Sequence, residues 1–329
     1  MDDRDILALG IDIGGTAVKA GLVRVTGEIL ADCQVQTPVD RPQEEALRTL
    51  GRALRDFVQG RRIGAVGVGC AGLVSRKAGI VHVSPNLPMW KETPLGPLLA
   101  KELDLPVFVL NDADAFALAE ARAGAGRGSS PVVALTLGTG VGGAVVIDGR
   151  LSSGYHGFGG EMGHMSLAWD GPLCPCGNRG CLELFVGRQG LVSAYRAEGA
   201  WVPGGIAYDT LAGDAQGLDP RILAEAARRG DAVASAVFGR AGEILGAALA
   251  NLSNLIDPAL FVIGGGVAQA GELLFEPARR TLAARAMIGA AAVAPVVPAA
   301  LGVRAGLLGA ALHAFDGLTR GSSKTGDRG

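Results

Sequence analysis

Residues Leu7–Val23 read LALGIDIGGTAVKAGLV, and Val133–Gly149 read VALTLGTGVGGAVVIDG. Each is an apolar run, a glycine-rich turn and a second apolar run. Runs this short, bounded by glycine, predict paired strands rather than helices. The recurrence is a weak internal repeat, seen in pattern more than identity. It implies a duplicated βββαβα unit with two glycine hairpins, an α/β design suited to holding a nucleotide.

Working outward, ILALGIDI, AVKAGLVRV and EILADCQVQ form a meander over residues 6–36. Residues 43–59 carry helical periodicity, IGAVGVGC is a buried strand, a helix follows around 95–103, and LPVFVL is another strand. The first third therefore reads βββαβαβ, with a further helix at 112–124. After the restart, 183–200 and 206–255 read as helical, and DPALFVIGGGV is a strand entering a glycine loop. Helices follow at 271–286 and 303–316, and the polar tail 318–329 is expected to be disordered. The lobes expected are 1–112, joined by the helix at about 303–317, and 113–302, with a metal loop at 161–183. The Ala-rich helices at 221–255 suit a core or a dimer interface.

The 329 residues suffice for two domains, and 49% hydrophobic against 19% charged residues is a globular balance. Thirty Lys+Arg against 32 Asp+Glu leave a net charge of −2, which argues against a broad nucleic-acid surface. No apolar run is read as membrane-spanning, and the acidic start is unlike a signal peptide. A cytoplasmic protein is expected. Cys33 and Cys70 lie in apolar stretches and read as core thiols.

The remaining three of five cysteines cluster with a histidine. His164, Cys174, Cys176 and Cys181 fall within GGEMGHMSLAWDGPLCPCGNRGCLE. Thiolates and an imidazole at such spacing predict a closed tetrahedral Zn²⁺ site. Glu161 and Glu183 flank the ligands. The alternatives are a structural zinc loop with incidental acids, or a metal that also fixes two functional carboxylates.

Three glycine loops carry the remaining chemistry. In Asp12-Ile13-Gly14-Gly15-Thr16, absent side chains let backbone amides approach phosphate. Asp12 can hold Mg²⁺ and Thr16 can donate to a phosphate; an ordinary hairpin turn is the alternative. The spacing is not that of a P-loop, and a strand rather than a helix follows. Gly138, Thr139 and Gly140 lie in the second turn, placed for terminal phosphates. Gly264 and Gly265 open a third, which can receive adenosine or serve as a plain β–α turn. Asn111 and Asp112 stand where a strand meets a helix. Asp112 can be no more than a helix cap, or it can take a hydroxyl proton during phosphoryl transfer.

Together DIGGT, PNLPMW, NDADAFALAE, LGTGVGGA, GGEMGH, CPCGNRGCLE, IGGGV and LGVRAGLLGAA, in order from residue 10 to about 312, resemble the ROK family of sugar kinases and sugar-responsive repressors. The resemblance implies an actin-like, ribonuclease-H-type duplicated fold of two lobes and ATP-dependent phosphorylation of a hexose, glucose first. Other sugars remain open: N-acetylglucosamine, N-acetylmannosamine, fructose, mannose or allose. It implies Asp112 as base, with Gly72, Asn86, Asn111, Glu161, His164 and Glu183 on the sugar. It also implies Zn²⁺ on His164, Cys174, Cys176 and Cys181, and a homodimer or homotetramer. His164 can serve metal and sugar because its ring nitrogens are distinct. A sugar-sensing regulator is the other class. It is disfavoured because the first strand begins by Ile6, leaving no room for a DNA-reading module. Departures from the family pattern are Ala17 after Thr16, Asp114 after the Asn111–Asp112 pair, Ala144, and Val303 where an aspartate is common. Asp114 is read as a cap or a solvent-facing group.

Overall fold

The structure, a computed structural model, describes residues 6–39, 41–85, 87–287 and 293–323, with side chains to Thr319. The chain divides into two compact units: residues up to 127 with 149–159 and 301 onward, and residues 128–148 with 160–300.

The first unit is built on strands β1 (Leu7–Ile13), β2 (Ala17–Arg24), β3 (Ile29–Gln36), β4 (Ile63–Cys70) and, after three short strands, β8 (Val107–Asn111). Their order is β3-β2-β1-β4-β8. The first three are antiparallel; β4 and β8 run parallel to β1, as a strand–helix–strand connection requires. Period-two alternation divides β1 cleanly. Leu9, Ile11 and Ile13 enter a core with Leu47, Leu50 and Leu54 of helix α1 (Gln43–Val58) and Leu99 of α2 (Leu95–Leu103). Each such leucine contributes roughly 1.5–3 kcal/mol on burial.

The other face of the sheet is lined with small residues, because a helix lies against its backbone. Gly10 of β1 and Gly67 of β4 are register partners, and a Cβ on either would strike the carbonyl of Leu307 or Ala310 in α10 (Ala305–Ser323). Asp12 continues that face, and a Cβ on Gly306 would lie 2.6 Å from its carboxyl carbon. Helix α3 (Asp112–Ala123) packs on α10, where Gly309 meets the Ala115 backbone. The expected break after Asp112 therefore falls after Arg127, since α3 shares the core of the first unit.

The three short strands are β5 (Leu73–Ser75), β6 (Ile80–Val83) and β7 (Lys91–Thr93), a separate antiparallel sheet in a stretch to which the sequence pattern assigned no element. A two-residue strand β11 (Arg150–Leu151) also belongs to this unit.

In the second unit β9 (Val132–Leu137), β10 (Val141–Ile147), β12 (Leu260–Gly264) and β13 (Val296–Pro298) stand in the order β10-β9-β12-β13. Helices α4 (Glu183–Val186), α5 (Arg188–Ala197), α6 (Ile206–Thr210), α7 (Pro220–Arg228), α8 (Ala232–Ile256) and α9 (Glu272–Arg285) complete it. Its core includes Tyr195, Phe238, Leu245, Leu249 and Phe261. Helix α8 corrects one expectation: it is long and apolar enough to cross a membrane by length and composition. It carries the Arg240–Glu243 ion pair and buries Phe238, Leu245 and Leu249, as the core helix of a globular unit does.

Other expectations are also corrected. Residues 318–323 of the expected disordered tail continue α10, and 324–329 lie outside the described residues. Cys33 is half-buried, because its strand is the sheet edge, whereas Cys70 is fully buried. Trp90 lies in the core at 1% exposure, whereas Trp169 is 87% exposed.

Candidate functional site

In the first unit the register that places Asp12 opposite Lys19 and Gly69 also ends β4 at Cys70 beside Asn111. The strand ends thereby gather Asp12 and Asp112. The glycine turn after β1 is tied down: the Gly14 N–H donates to the Ala17 carbonyl at 3.1 Å, and the Thr37 hydroxyl donates to the Gly14 carbonyl at 2.7 Å. The Thr37 N–H donates to the Thr16 carbonyl at 3.1 Å. Gly15 is half-buried and Thr16 exposed at the turn.

The helix cap lies one residue from where the sequence left it open. Asn111, not Asp112, is the N-cap of α3: its side-chain oxygen accepts the N–H groups of Ala113 at 2.7 Å and Asp114 at 3.4 Å. Its amide donates to the Gly72 carbonyl at 2.8 Å. Asn111 thus commits its side-chain oxygen and one amide N–H to the fold and keeps a second N–H, and Asp112 is left at the first helical position with one oxygen accepting the Ala113 N–H at 3.0 Å. Burial raises the Asp112 carboxyl above its ordinary value. Burial and then the Asp112 charge raise Asp12 to about 6, against a smaller lowering by Lys19. Removal from water and the two acids also push the Cys70 thiol up to about 12. Like charges held this close favour a proton or a cation between them. Asp114, expected to cap or face solvent, is buried and lies 3.8 Å from an Arg76 nitrogen. Asn86 lies outside the described residues.

In the second unit the turn between β9 and β10 is braced by α4 and α5. Glu183 accepts the Val141 N–H at 2.8 Å, and the Arg188 N–H donates to the Gly138 carbonyl at 2.9 Å. The Gly138 N–H turns inward to the Gly140 carbonyl at 2.9 Å. Thr139, at the tip, is exposed. Gly264 is not in an open loop: it is the buried last residue of β12, paired with Thr136. Gly265 adopts φ +89° and lies on the Leu137 backbone, where a Cβ would collide. Gly266 instead lines a cavity of about 250 Å³ with Gly138, Thr139, Arg188, Arg221 and Gln269. Arg188, Arg221 and Gln269 escaped the sequence reading. No spacing signal marks them, because they reach the loop from other elements.

The fourth feature is the thiol–imidazole cluster. The ligand atoms of His164, Cys174, Cys176 and Cys181 all lie within 4.8 Å of one another. Cys174 Sγ is 3.8 Å from His164 Nδ1, and Cys176 Sγ is 3.8 Å from Cys181 Sγ. Tetrahedral zinc with Zn–S near 2.3 Å gives S···S edges of about 3.8 Å, so the donor set fits that ion. The thiol environments differ. The Asn178 amide lowers Cys176, while burial and the neighbouring sulfurs push Cys181 up to about 12. Three adjacent thiolates need a cation to coexist. Bridges Ser166–Cys181 and Leu173–Arg179 hold the loop. Nδ1 faces the sulfurs, leaving His164 Nε2 on the far side of the ring. Glu161 is exposed, and its carboxylate has no partner among the described residues. Glu183, grouped with Glu161 by sequence, commits one carboxylate oxygen to the Val141 amide.

The profile of the ROK family matches residues 8–316. The chain is 39% identical over 303 residues to a glucokinase of Thermotoga maritima, covering 92% of this chain and 95% of that one. Among solved structures, a ROK family glucokinase from Streptomyces griseus, in complex with glucose and AMPPNP, superposes with a TM-score of 0.81 at 37% identity. It covers 94% of this chain and 99% of that one. A ROK hexokinase from Thermus thermophilus gives a TM-score of 0.80 at 34% identity, covering 96% and 100%.

Proposed function

The chain belongs to the ROK family, with its α/β actin-like fold, and on that premise we propose that it phosphorylates glucose at the expense of ATP, yielding glucose 6-phosphate and ADP. The observation that carries the chemistry is the division of labour at the start of α3. Asn111 caps the helix, so the neighbouring Asp112 carboxylate is not committed to that task.

Asp112 is the base of this reading. Its carboxylate takes the proton of the attacking sugar hydroxyl as that oxygen bonds to the γ-phosphorus and the β–γ bridging bond breaks, releasing ADP. A carboxyl raised by burial is a better proton acceptor than an exposed one, which suits a hydroxyl donor. Gly72, Asn86, Asn111, Glu161, His164 and Glu183 are the residues this reading assigns to the sugar hydroxyls. The fixed amide of Asn111 keeps the Gly72 strand end in place. Asp12, raised to about 6 beside Asp112, is the residue to carry Mg²⁺, which when bound neutralises phosphate charge. Gly14, Gly15, Thr16, Gly138, Thr139, Gly140, Gly264 and Gly265 frame the nucleotide. Zinc, when bound by His164, Cys174, Cys176 and Cys181, supplies structure and no activated water, because all four positions are protein donors. The reading places the enzyme in the cytoplasm, where thiols stay reduced, as a homodimer or homotetramer.

The test is ADP release with Mg-ATP across glucose, N-acetylglucosamine, N-acetylmannosamine, mannose, fructose and allose. Glucose is expected to give the highest kcat/KM. Asp112→Asn is expected to lower kcat by about a hundredfold to ten-thousandfold with sugar binding kept. Turnover retained in that variant overturns the base assignment.

A further inference from the structure

The second glycine turn meets its ligand with fewer donors than its sequence offers. The Gly138 N–H is bonded to the Gly140 carbonyl and the Val141 N–H to Glu183. Two of the amides expected to cradle phosphate are therefore already engaged. A triphosphate brings about four negative charges, and the remaining amides of this turn carry none to offset them.

A cation stands at the same place. Arg188 is the first residue of α5, and its backbone N–H donates to the Gly138 carbonyl. Its residue lines the 250 Å³ cavity together with Gly138, Thr139 and Gly266. It is half-buried, and its guanidinium forms no hydrogen bond or ion pair among the described residues. The other arginine of the cavity, Arg221, lies 3.9 Å from Asp219 and is 77% exposed. Arg228, by contrast, donates to the carbonyls of Gln269 and Ala270. A partly buried, unpaired guanidinium beside a half-committed amide turn is an anion site awaiting its anion.

We propose that Arg188 is a positioning residue for the phosphate chain of the donor nucleotide. The backbone tie to Gly138 fixes the point from which the side chain springs to the loop it serves. The inference rests on the kinase reading and adds to it a residue that distinguishes phosphate from nucleoside.

The experiment measures AMPPNP and adenosine binding by titration calorimetry, with Mg²⁺ and glucose present, for wild type, Arg188→Ala, Arg188→Gln and Arg188→Lys. Glucose affinity and circular dichroism are the controls for folding, and the glutamine variant keeps stem packing if alanine does not fold. Loss of a charge-assisted contact is expected to weaken AMPPNP by about tenfold to a hundredfold, with adenosine affinity unchanged and the lysine variant intermediate. In turnover, KM for ATP rises while KM for glucose holds. Equal weakening of AMPPNP and adenosine, or no weakening of either, overturns the proposal. Wild type that binds glucose yet neither binds AMPPNP nor releases ADP overturns the kinase reading itself.

Discussion

Glu183 and Gly140 occupy each other's space: the carboxylate that accepts the Val141 N–H lies where a Cβ on Gly140 would have to go. A residue at the end of the metal loop thus sets the shape of a glycine turn more than forty positions earlier. Gly140→Ala must displace Glu183 or the turn. The expected result is a rise of about tenfold or more in KM for ATP. In a Glu183→Ala background the same substitution should do much less, because the colliding oxygen is gone. Kinetics of the four-member cycle check this, and additive effects would sink the coupling.

The carboxyl pair makes pH a probe. Asp12 titrates near 6 in the folded protein against 3.8 for an ordinary aspartate. Its folded value is the higher, so the native state holds the proton more tightly. Its contribution to stability is present below about pH 4 and is lost as pH rises through 6, by roughly 3 kcal/mol across the window. Asp12→Asn should therefore be more stable than wild type at pH 7.5 in urea without Mg²⁺ or nucleotide, and inactive. Turnover of the wild type should fall on the acid side, with apparent values that belong to the Asp12–Asp112 pair. Equal urea midpoints for wild type and Asp12→Asn across pH 4.5–8 would contradict this account.

Metal removal has a local signature. One zinc per chain is expected by atomic absorption. Cys176→Ser and Cys181→Ser should both lose it. The second should melt lower, since Cys181 is fully buried whereas Cys176 is exposed. Hydrogen exchange over 164–181 should quicken by about a hundredfold or more without metal, while the buried face of α8 stays protected. Exchange in that loop indifferent to chelation would rule out a structural metal.

The sequence disclosed what is local. The four metal donors sit on one short loop, so their spacing alone brings them together. The glycine turns announce themselves because strands flank them. It did not disclose partners distant along the chain. Nothing near Glu183 says that it reaches Val141, and nothing near Arg188 says that it faces Gly138. The cap at α3 was ambiguous because Asn111 and Asp112 are both good capping residues and adjacent. The β5–β7 sheet was missed because its strands are three and four residues long, too short for a period to declare itself. The exposure of Cys33 turned on which strand lies at the sheet edge, a matter of topology rather than of composition.

Helix α10 lies on Gly10 and Gly67, yet the whole second unit separates it from them along the chain. During synthesis the sheet of the first unit leaves the ribosome early, with the face that carries Asp12 still bare. Its covering helix arrives only after residue 300 has been made. The half of the protein translated first is therefore completed last, and a nascent chain stalled within the second unit presents an uncovered glycine-lined sheet to chaperones and proteases.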